Sequence, residues 1–563
     1  MPSSSKLGPM ALVLAPLALC ATANAQSNWV DWSDETATRI IGDPTVTTAD
    51  PEEKDMVAAD FDNDGDFDVA IVRKVPFSTP GGRPNVLLMN ENGVLTDRTS
   101  TLAPDFLIPD DARDVLAFDA NGDGWVDLVV ATTFFEQPRL FMNQGEIGGV
   151  WQGFASQPNW FSPLFSPGPK FCAVYDGDID NDGDLDLFFS DYNSPLDDRL
   201  LINDGTGIFT DMTDQLMSNA ASTSVFGTGS FICDFNKDGW NDILKGSGAF
   251  EPVKLILNDG TGHFNQVQTF NTAAAYMVRA VDFNNDDRMD FYVVDDGQDY
   301  IYINDSTNAD GTIATTKIFV TNSNKTTGFG GNVHQHDLDL DGFADLGIAD
   351  VDVDIPGCNR RFAALRNKRA TLGVDGFLDP NNPTNLGWNQ QGVHDFAYLD
   401  INGDGFQDML VARCVGLRVW IMQPFAMPGS EYCQGGENSL GQTARIYSHG
   451  SASLAANDFR LGTQGGIRGQ FGLFFYGSVQ ASMPFGGGTL CIGGSVERLN
   501  SPQLMGGTLG LSSRRVDFAI PPTSSGPNAI TANSTWNFQW WYRDPTGPGG
   551  FNLSNAVSVT FTP

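Results

Sequence analysis

The chain has 563 residues, too many for one hydrophobic core, so it divides into several domains or a repeat array. Its 62 glycines, with 41 % hydrophobic and only 18 % charged residues, fit a turn-rich β protein and exclude a disordered acidic tail. A net charge of −37 excludes nucleic acid as a partner, because nothing here would neutralise phosphates.

Residues 1–25 read as an export signal. Lys6 supplies a weak basic start, Met10 to Cys20 a short apolar run, and Ala23-Asn24-Ala25 a small-x-small cleavage site, so the mature chain is expected to begin at Gln26. A lipoprotein signal through Cys20 is the alternative, against which Leu19 stands where a small residue belongs. No later apolar run approaches ~18 residues, so no membrane span is expected. Exported chains can form disulfides. Cys433 with Cys491, and next Cys358 with Cys414, are the expected pairs, while Cys172 and Cys233 read as buried free thiols. Connectivity stays open at this level.

A nine-residue pattern then recurs along most of the chain. It begins at Asp60 (DFDNDGDFD), Asp119 (DANGDGWVD), Asp178 (DIDNDGDLD), Asp234 (DFNKDGWND), Asp282 (DFNNDDRMD), Asp337 (DLDLDGFAD) and Asp400 (DINGDGFQD). Successive starts lie 59, 59, 56, 48, 55 and 63 residues apart. An apolar strand enters each loop, as in Val115-Leu116-Ala117-Phe118, and a second leaves it, as in Leu128-Val129-Val130-Ala131. A third strand ends in Asn, as in Val86-Leu87-Leu88-Met89-Asn90, and a Gly-rich hairpin leads to a fourth, as in Phe209-Thr210-Asp211. Four short antiparallel strands in each of seven units predict an all-β fold, a seven-bladed β-propeller over residues 29–423. The last unit lacks a fourth strand, and Trp32-Ser33-Asp34-Glu35-Thr36 resembles one, so the N-terminal segment is expected to complete the last blade and remove free sheet edges.

Residues 424–432, with Pro424, Pro428 and Gly429, read as a linker. Residues 433–563 carry no such loop. Their short alternating runs, such as Ala556-Val557-Ser558-Val559-Thr560-Phe561, predict a small β-sandwich.

The loops are built for a hard cation. Carboxylates two residues apart converge on one point only if the backbone curls tightly, and a glycine at position 6 permits that turn. An EF-hand would need Glu at position 12, which here is Ile71, Val130, Phe189, Lys245, Val293, Ile348 or Val411. Position 9 is always Asp and opens a strand, so it is expected to close the site. Side-chain oxygens are expected from position 1 (Asp60, Asp119, Asp178, Asp234, Asp282, Asp337, Asp400) and position 3 (Asp62, Asn121, Asp180, Asn236, Asn284, Asp339, Asn402). Position 5 adds Asp64, Asp123, Asp182, Asp238, Asp286, Asp341 and Asp404, and position 9 adds Asp68, Asp127, Asp186, Asp242, Asp290, Asp345 and Asp408. Position 7 offers the backbone carbonyl of Asp66, Trp125, Asp184, Trp240, Arg288, Phe343 or Phe406. Oxygen-only ligands in a flexible loop favour Ca²⁺ over Mg²⁺, giving up to seven structural ions. The loops hold 27 of the 69 acidic residues, so metal would neutralise much of the charge. The competing reading is solvated Asp/Gly turns without metal, most of all at Asp282 to Asp290, where Asp287 replaces the glycine.

These loops, their period and their number resemble the FG-GAP/VCBS repeats of integrin α-type propellers. That resemblance implies that each loop joins the first two strands of a blade, on the face opposite the ligand-binding one, and that the ions are staples. Tyr432-Cys433, Asn438-Ser439-Leu440-Gly441, Pro484-Phe485-Gly486-Gly487-Gly488-Thr489-Leu490-Cys491 and Trp541-Tyr542-Arg543-Asp544-Pro545 resemble a module that ends many secreted proteins of planctomycete-type bacteria. That resemblance implies a surface or secretion-associated domain with no activity to transfer.

No catalytic motif appears: there is no HExxH, GxSxG, P-loop or CxxC, and no catalytic residue is assigned. His334 and His336 share one strand face, which reads as a polar channel-lining or surface pair before a ligand site. The face opposite the ion loops would carry Arg73 to Asn85, Thr132 to Arg139, Ser190 to Arg199, Gly246 to Val253 and Asp350 to Phe362, with Phe77, Phe134, Phe135, Tyr192 and Phe250. Asp55, Asp114 and Asp395 each precede a loop by five residues and are placed at a channel entrance. The pattern predicts an exported, non-catalytic binding or adhesion scaffold for protein or polysaccharide. Its rival is a carbohydrate lyase or hydrolase working at the channel mouth, since propellers host both.

Overall fold

The computed structural model describes residue 30 and residues 32–563, apart from 76–78, 193, 249–250, 273–274, 285, 296–298, 321–330, 340–342, 350–361, 368–377, 380–391, 405, 424–426, 458, 468–469 and 506–511. The export signal, Phe77, Phe250, Cys358, Asp341 and nearly all of Asp350 to Phe362 lie outside the described residues.

The protein is all-β, and each repeat makes its own sheet. In the second, Ala112–Phe118, Asp127–Thr132, Arg139–Asn143 and Phe154–Ser156 lie side by side, antiparallel and in chain order. Among the described residues six sheets follow this plan, and a seventh takes Trp32–Asp34 from the N-terminal segment as its fourth strand. The second strand of each repeat is buried along its length or nearly so, as in Asp68–Lys74 and Asp127–Thr132, because other sheets cover both its faces. That is why these strands read as continuous apolar runs without alternation. Two sheets carry a fifth strand that the sequence pattern does not predict. Ile40–Ile41 runs parallel to Leu95–Asp97, and Phe161–Ser162 runs parallel to Phe209–Asp211. Each added strand is only two residues long, too short to show any periodicity.

The first strands pack side by side in succession: Glu53–Ala59 on Ala112–Phe118, then Phe171–Gly177, Gly227–Cys233, Ala275–Val281 and Val333–His336. Asp345–Ala349 passes the contact from the sixth repeat to Val393–Leu399, which in turn packs on Glu53–Ala59. Aromatic residues fill the space between sheets. Phe106 lies edge-on to Phe141 at 4.7 Å, and Phe171 is 4.6 Å from Phe189. The N-terminal strand Trp32–Asp34 pairs antiparallel with Gly416–Met422, and the Trp32 indole N–H donates to the Gln407 carbonyl at 3.1 Å.

Beyond the repeats, a five-stranded sheet and a three-stranded sheet enclose one core containing Phe459, Phe474, Tyr476, Phe538 and Trp540. Ser430–Tyr432 pairs with Phe551–Thr560, so the segment read as a linker gives its last three residues to this sheet. Gly429, at φ 97°, turns the chain into that strand. Cys433 and Cys491 form a disulfide, while Cys172 is buried and Cys233 half-buried. This C-terminal unit rests on the loop end of the repeats. Tyr447 enters the apolar cluster of Leu338, Phe406 and Trp420, and the Arg460 guanidinium lies 4.9 Å from the centre of the Phe343 ring. No helix among the described residues is long and apolar enough to cross a membrane.

Candidate metal loops and the central cavity

Among the described residues, six of the aspartate loops fold around their first carboxylate. Asp60 Oδ1 accepts from the Asp64 N–H at 3.1 Å and Oδ2 from the Gly65 N–H at 3.0 Å. The same pair of bonds recurs at Asp119 and Asp234. The curl needs left-handed backbone at position 6, where Gly65, Gly124, Gly183 and Gly239 have φ between 87° and 102°. It needs the same at position 4, where Asn63, Gly122, Asn181, Lys237 and Gly403 have φ between 58° and 72°. That second requirement escaped the sequence reading, although Asn or Gly at position 4 signals it. Asp287 also adopts the turn, at φ 68°, and its N–H donates to Asp282 Oδ2 at 2.8 Å, so the fifth loop closes without its glycine.

Position 9 does more than face a cation. In all seven loops its Oδ2 accepts the position 2 N–H, from Phe61 to Asp68 at 3.2 Å through Ile401 to Asp408 at 2.9 Å. Its Oδ1 accepts the N–H of a residue on or just after the third strand: Asn90, Asn143, Asn203, Asn258, Asn304, Asn367 and, in the last repeat, Met422. The asparagine side chain then reaches back one repeat. Asn143 Nδ2 donates to the Phe61 carbonyl, Asn203 to Ala120, Asn258 to Ile179, Asn304 to Phe235 and Asn367 to Phe283. Asn90 makes the equivalent bond to Ile401 of the last repeat at 3.1 Å. A repeated Asn–Asp clasp thus stitches each loop to its own third strand and to its neighbour. The asparagines were visible in the sequence, but their partners lie about 80 residues away, as in Asn203 to Ala120, where local spacing carries no signal.

Among the described residues, three loops bring carboxylates together. Asp60, Asp62 and Asp68, then Asp178, Asp180 and Asp186, then Asp337, Asp339 and Asp345, each place oxygens within 4.8 Å of one another. These clusters can hold a metal ion. Asp62 Oδ1, Asp178 Oδ1 and Asp180 Oδ1 are buried and accept no hydrogen bond, as an oxygen reserved for a cation would be. The position 5 residues Asp64 and Asp182 stand outside these sets and accept instead from the position 7 N–H of Asp66 and Asp184. In the other four loops position 3 is Asn. Its Nδ2 donates to the position 5 carboxylate, as Asn121 does to Asp123 at 2.9 Å, which relieves the crowding that a third Asp creates.

Burial dominates the titration of these groups. It raises Asp60 to about 7 and Asp62 to about 6, with neighbouring loop aspartates adding to the rise. It also lifts Asp127 and Asp186 to about 7, and Asp242, Asp290 and Asp408 to about 8, against a usual 3.8. A divalent ion supplies the opposite charge that would let them ionise.

The first strands surround a cavity of about 1090 Å³. Asp55 and Asp114 line it, but Asp395 is fully buried. Asp395 Oδ2 accepts the Met56 N–H at 2.9 Å and Asp114 Oδ2 the Val174 N–H at 2.7 Å, so both tie the next first strand in place. Only Asp55 is spared that duty. Its Oδ2 accepts from Asn332 Nδ2 at 2.6 Å, and burial beside Asp395 and Asp114 holds its carboxyl well above the usual range. His334 Nε2 lies 2.9 Å from Asp395 Oδ1, and Arg113 Nη2 donates to the Tyr276 hydroxyl at 2.8 Å. His334 and His336 both line the cavity, against Phe396 and Tyr398 respectively.

At the end away from the aspartate loops, Phe134 and Phe135 both adopt left-handed backbone, at φ 55° and 71°. Phe135 is 53 % exposed, with Lys170 Nζ 4.8 Å from its ring centre. Tyr192, by contrast, packs edge-on against Phe226 at 4.1 Å.

Three stretches, residues 60–130, 178–245 and 234–293, match the model of the FG-GAP-like repeat, so the chain carries these repeats there. Among curated proteins no sequence matches. Among solved structures, one similar chain is an Agrocybe aegerita lectin studied for specific recognition of non-reducing terminal N-acetylglucosamine. It is 15 % identical, with 65 % of this chain and 86 % of that chain covered at a TM-score of 0.42. Another is the V. cholerae biofilm matrix protein Bap1, 10 % identical, with 94 % of this chain and 71 % of that one covered at a TM-score of 0.29.

Proposed function

We propose that the chain is an exported seven-bladed β-propeller, stapled by Ca²⁺ and followed by a small β-sandwich, that acts as a non-catalytic binding or adhesion scaffold. The aspartate loops and Asn–Asp clasps hold the blades, and the opposite rim engages a protein or polysaccharide. The observation that carries this reading is Phe134-Phe135. Two consecutive bulky residues in left-handed backbone cost on the order of 1–3 kcal/mol each, a strain that persists where it serves a contact. Here it presents an exposed ring beside Lys170. The seven loops, the position 6 turns and the orphaned oxygens of Asp62, Asp178 and Asp180 support calcium as the staple. The N-terminal leader pattern of residues 1–25 supports export. A glycan and surface-protein binding screen tests the reading: Phe135→Ser should abolish the principal interaction while leaving the melting temperature within about 2 °C. Retention of every interaction by that variant would refute it.

The second reading, a carbohydrate lyase or hydrolase at the channel mouth, is favoured by one observation, the neighbouring Asp55 and Asp114 carboxyls beside Arg113. It predicts turnover on a polysaccharide panel that Asp55→Asn abolishes. Asp114 and Asp395 are poor test positions, because replacing either one removes a backbone clasp as well.

A further inference from the structure

The Asn–Asp clasp recurs around the array, but two neighbouring loops have a second connection. The third loop, Asp178 to Asp186, and the fourth, Asp234 to Asp242, exchange side-chain hydrogen bonds directly. Asn181 Nδ2, at position 4 of the third loop, donates to the Gly239 carbonyl at 3.1 Å. Asn241 Nδ2, at position 8 of the fourth, donates to the Asp178 carbonyl at 2.8 Å. Asn258 Nδ2 spans both loops, donating to the Ile179 carbonyl at 2.9 Å and to the Asn241 carbonyl at 3.3 Å. Position 8 is Asn in the fourth loop alone, and in five of the other six it is apolar, as in Val126 and Leu185.

We propose that the third and fourth loops form one cooperative calcium unit, in which filling the third loop orders the fourth and tightens its hold on a second ion. This rests on the calcium-staple reading and goes beyond it, since independent staples would fill without regard to one another. The cross-loop bonds land where a bound ion acts. Asp178 opens the third loop, and its Oδ1, like Asp180 Oδ1, is buried and accepts no hydrogen bond. Gly239 makes the position 6 turn of the fourth loop at φ 92°, and its N–H donates to Asp234 Oδ2 at 2.9 Å. Asn241 directly precedes Asp242, whose carboxylate accepts the Phe235 N–H and so closes the fourth loop. A cation held by Asp178, Asp180 and Asp186 would fix the Asp178 carbonyl and the Asn181 side chain together. The fourth loop is then ordered at positions 6 and 8 before its own ion arrives, so the two binding events help each other by the same factor. Repulsion between the ions is small, because the five aspartates of the third loop leave it negative even when filled. The fourth loop has three aspartates and Lys237, which makes it the weaker site and the one whose filling follows.

The fourth loop carries its own reporter, the half-buried Trp240 at position 7. The intact chain, labelled with 5-fluorotryptophan and stripped with chelator, is titrated with calcium while the Trp240 fluorine resonance, assigned with Trp240→Phe, is followed. Asp180→Ala changes only the third loop, yet it should move the Trp240 midpoint to about fivefold higher calcium or more. Asn181→Gly keeps the left-handed turn at φ 60° and deletes the cross-loop donor, so it should move the midpoint in the same direction. Asp62→Ala, in the first loop, should leave it in place. Asn181→Gly remains informative if Asp180→Ala fails to fold. A midpoint unmoved by Asp180→Ala or by Asn181→Gly would overturn the proposal. So would a Trp240 resonance that ignores calcium, or an equal shift in Asp62→Ala. Calcium retained by the desalted chain is counted separately, so a failure of the coupling is told apart from a failure of the calcium staple.

Discussion

The two ends of the repeat array solve different problems. At the aspartate-loop end the same bonds recur: the position 9 carboxylate accepts its position 2 N–H in every repeat, and an asparagine reaches back to the neighbour in six. At the other end the described residues share less: Asn85, Asp198 and Asp299 each accept an N–H near the end of a second strand, and the rest differs. Phe134-Phe135 is strained with the Phe135 ring exposed, Tyr192 is packed on Phe226, and Lys245 makes a fully buried ion pair with Asp198. Uniformity marks the end that holds the fold, and difference marks the end free to specialise.

The widest separation between the two ends is expected from chelation. If the loops bind calcium, EDTA at pH 8 should lower the melting temperature by on the order of 10 °C, since each ion at 100 times its Kd contributes about 2.7 kcal/mol. Unchanged melting would dissolve the contrast. The same loops set a pH dependence. Their folded-state values of about 7 to 8 lie above the unfolded 3.8, so the metal-free fold binds the extra protons. Their contribution is fully present below about pH 4 and is lost as pH rises through 7 to 8. Melting of the chelated protein should therefore fall between pH 5 and pH 8, and added calcium should restore it at pH 8 far more than at pH 5. A chelated protein that becomes more stable across that range would contradict this.

A smaller effect is expected from the clasps. Asn203→Ala leaves the Ala120 carbonyl without its Nδ2 donor and should cost about 1–3 kcal/mol in urea unfolding. Asn402→Ala, at a half-buried loop position whose Nδ2 donates within its own loop to Asp404, should cost less than about 1 kcal/mol. Equal costs would show that the asparagines do not join repeats. Smallest of all for stability is Phe135→Ser, whose effect belongs to binding.

How much of this was legible depends on the range of the interaction. The repeat, the four strands and the position 6 turn were readable because period and glycine act locally. The all-β class followed from runs such as Leu128-Val129-Val130-Ala131. The dual role of position 9 was half readable: its invariance was evident, but a carboxylate that closes an ion site and one that accepts two backbone N–H groups look alike in sequence. The Asn clasps, the fifth strands and the seating of Tyr447 on the repeats are long-range contacts without a local pattern. Asp114 and Asp395 show the same limit. Their spacing put them near the channel, but only the neighbouring strands show that they bind Val174 and Met56.

Metal analysis of the intact chain tests the central claim most directly. Protein stripped with chelator, reloaded with calcium and desalted should retain at least three ions per chain, matching the three carboxylate clusters, and Asp180→Ala should remove one of them. Retention of no calcium, or a count unchanged by Asp180→Ala, would contradict the account.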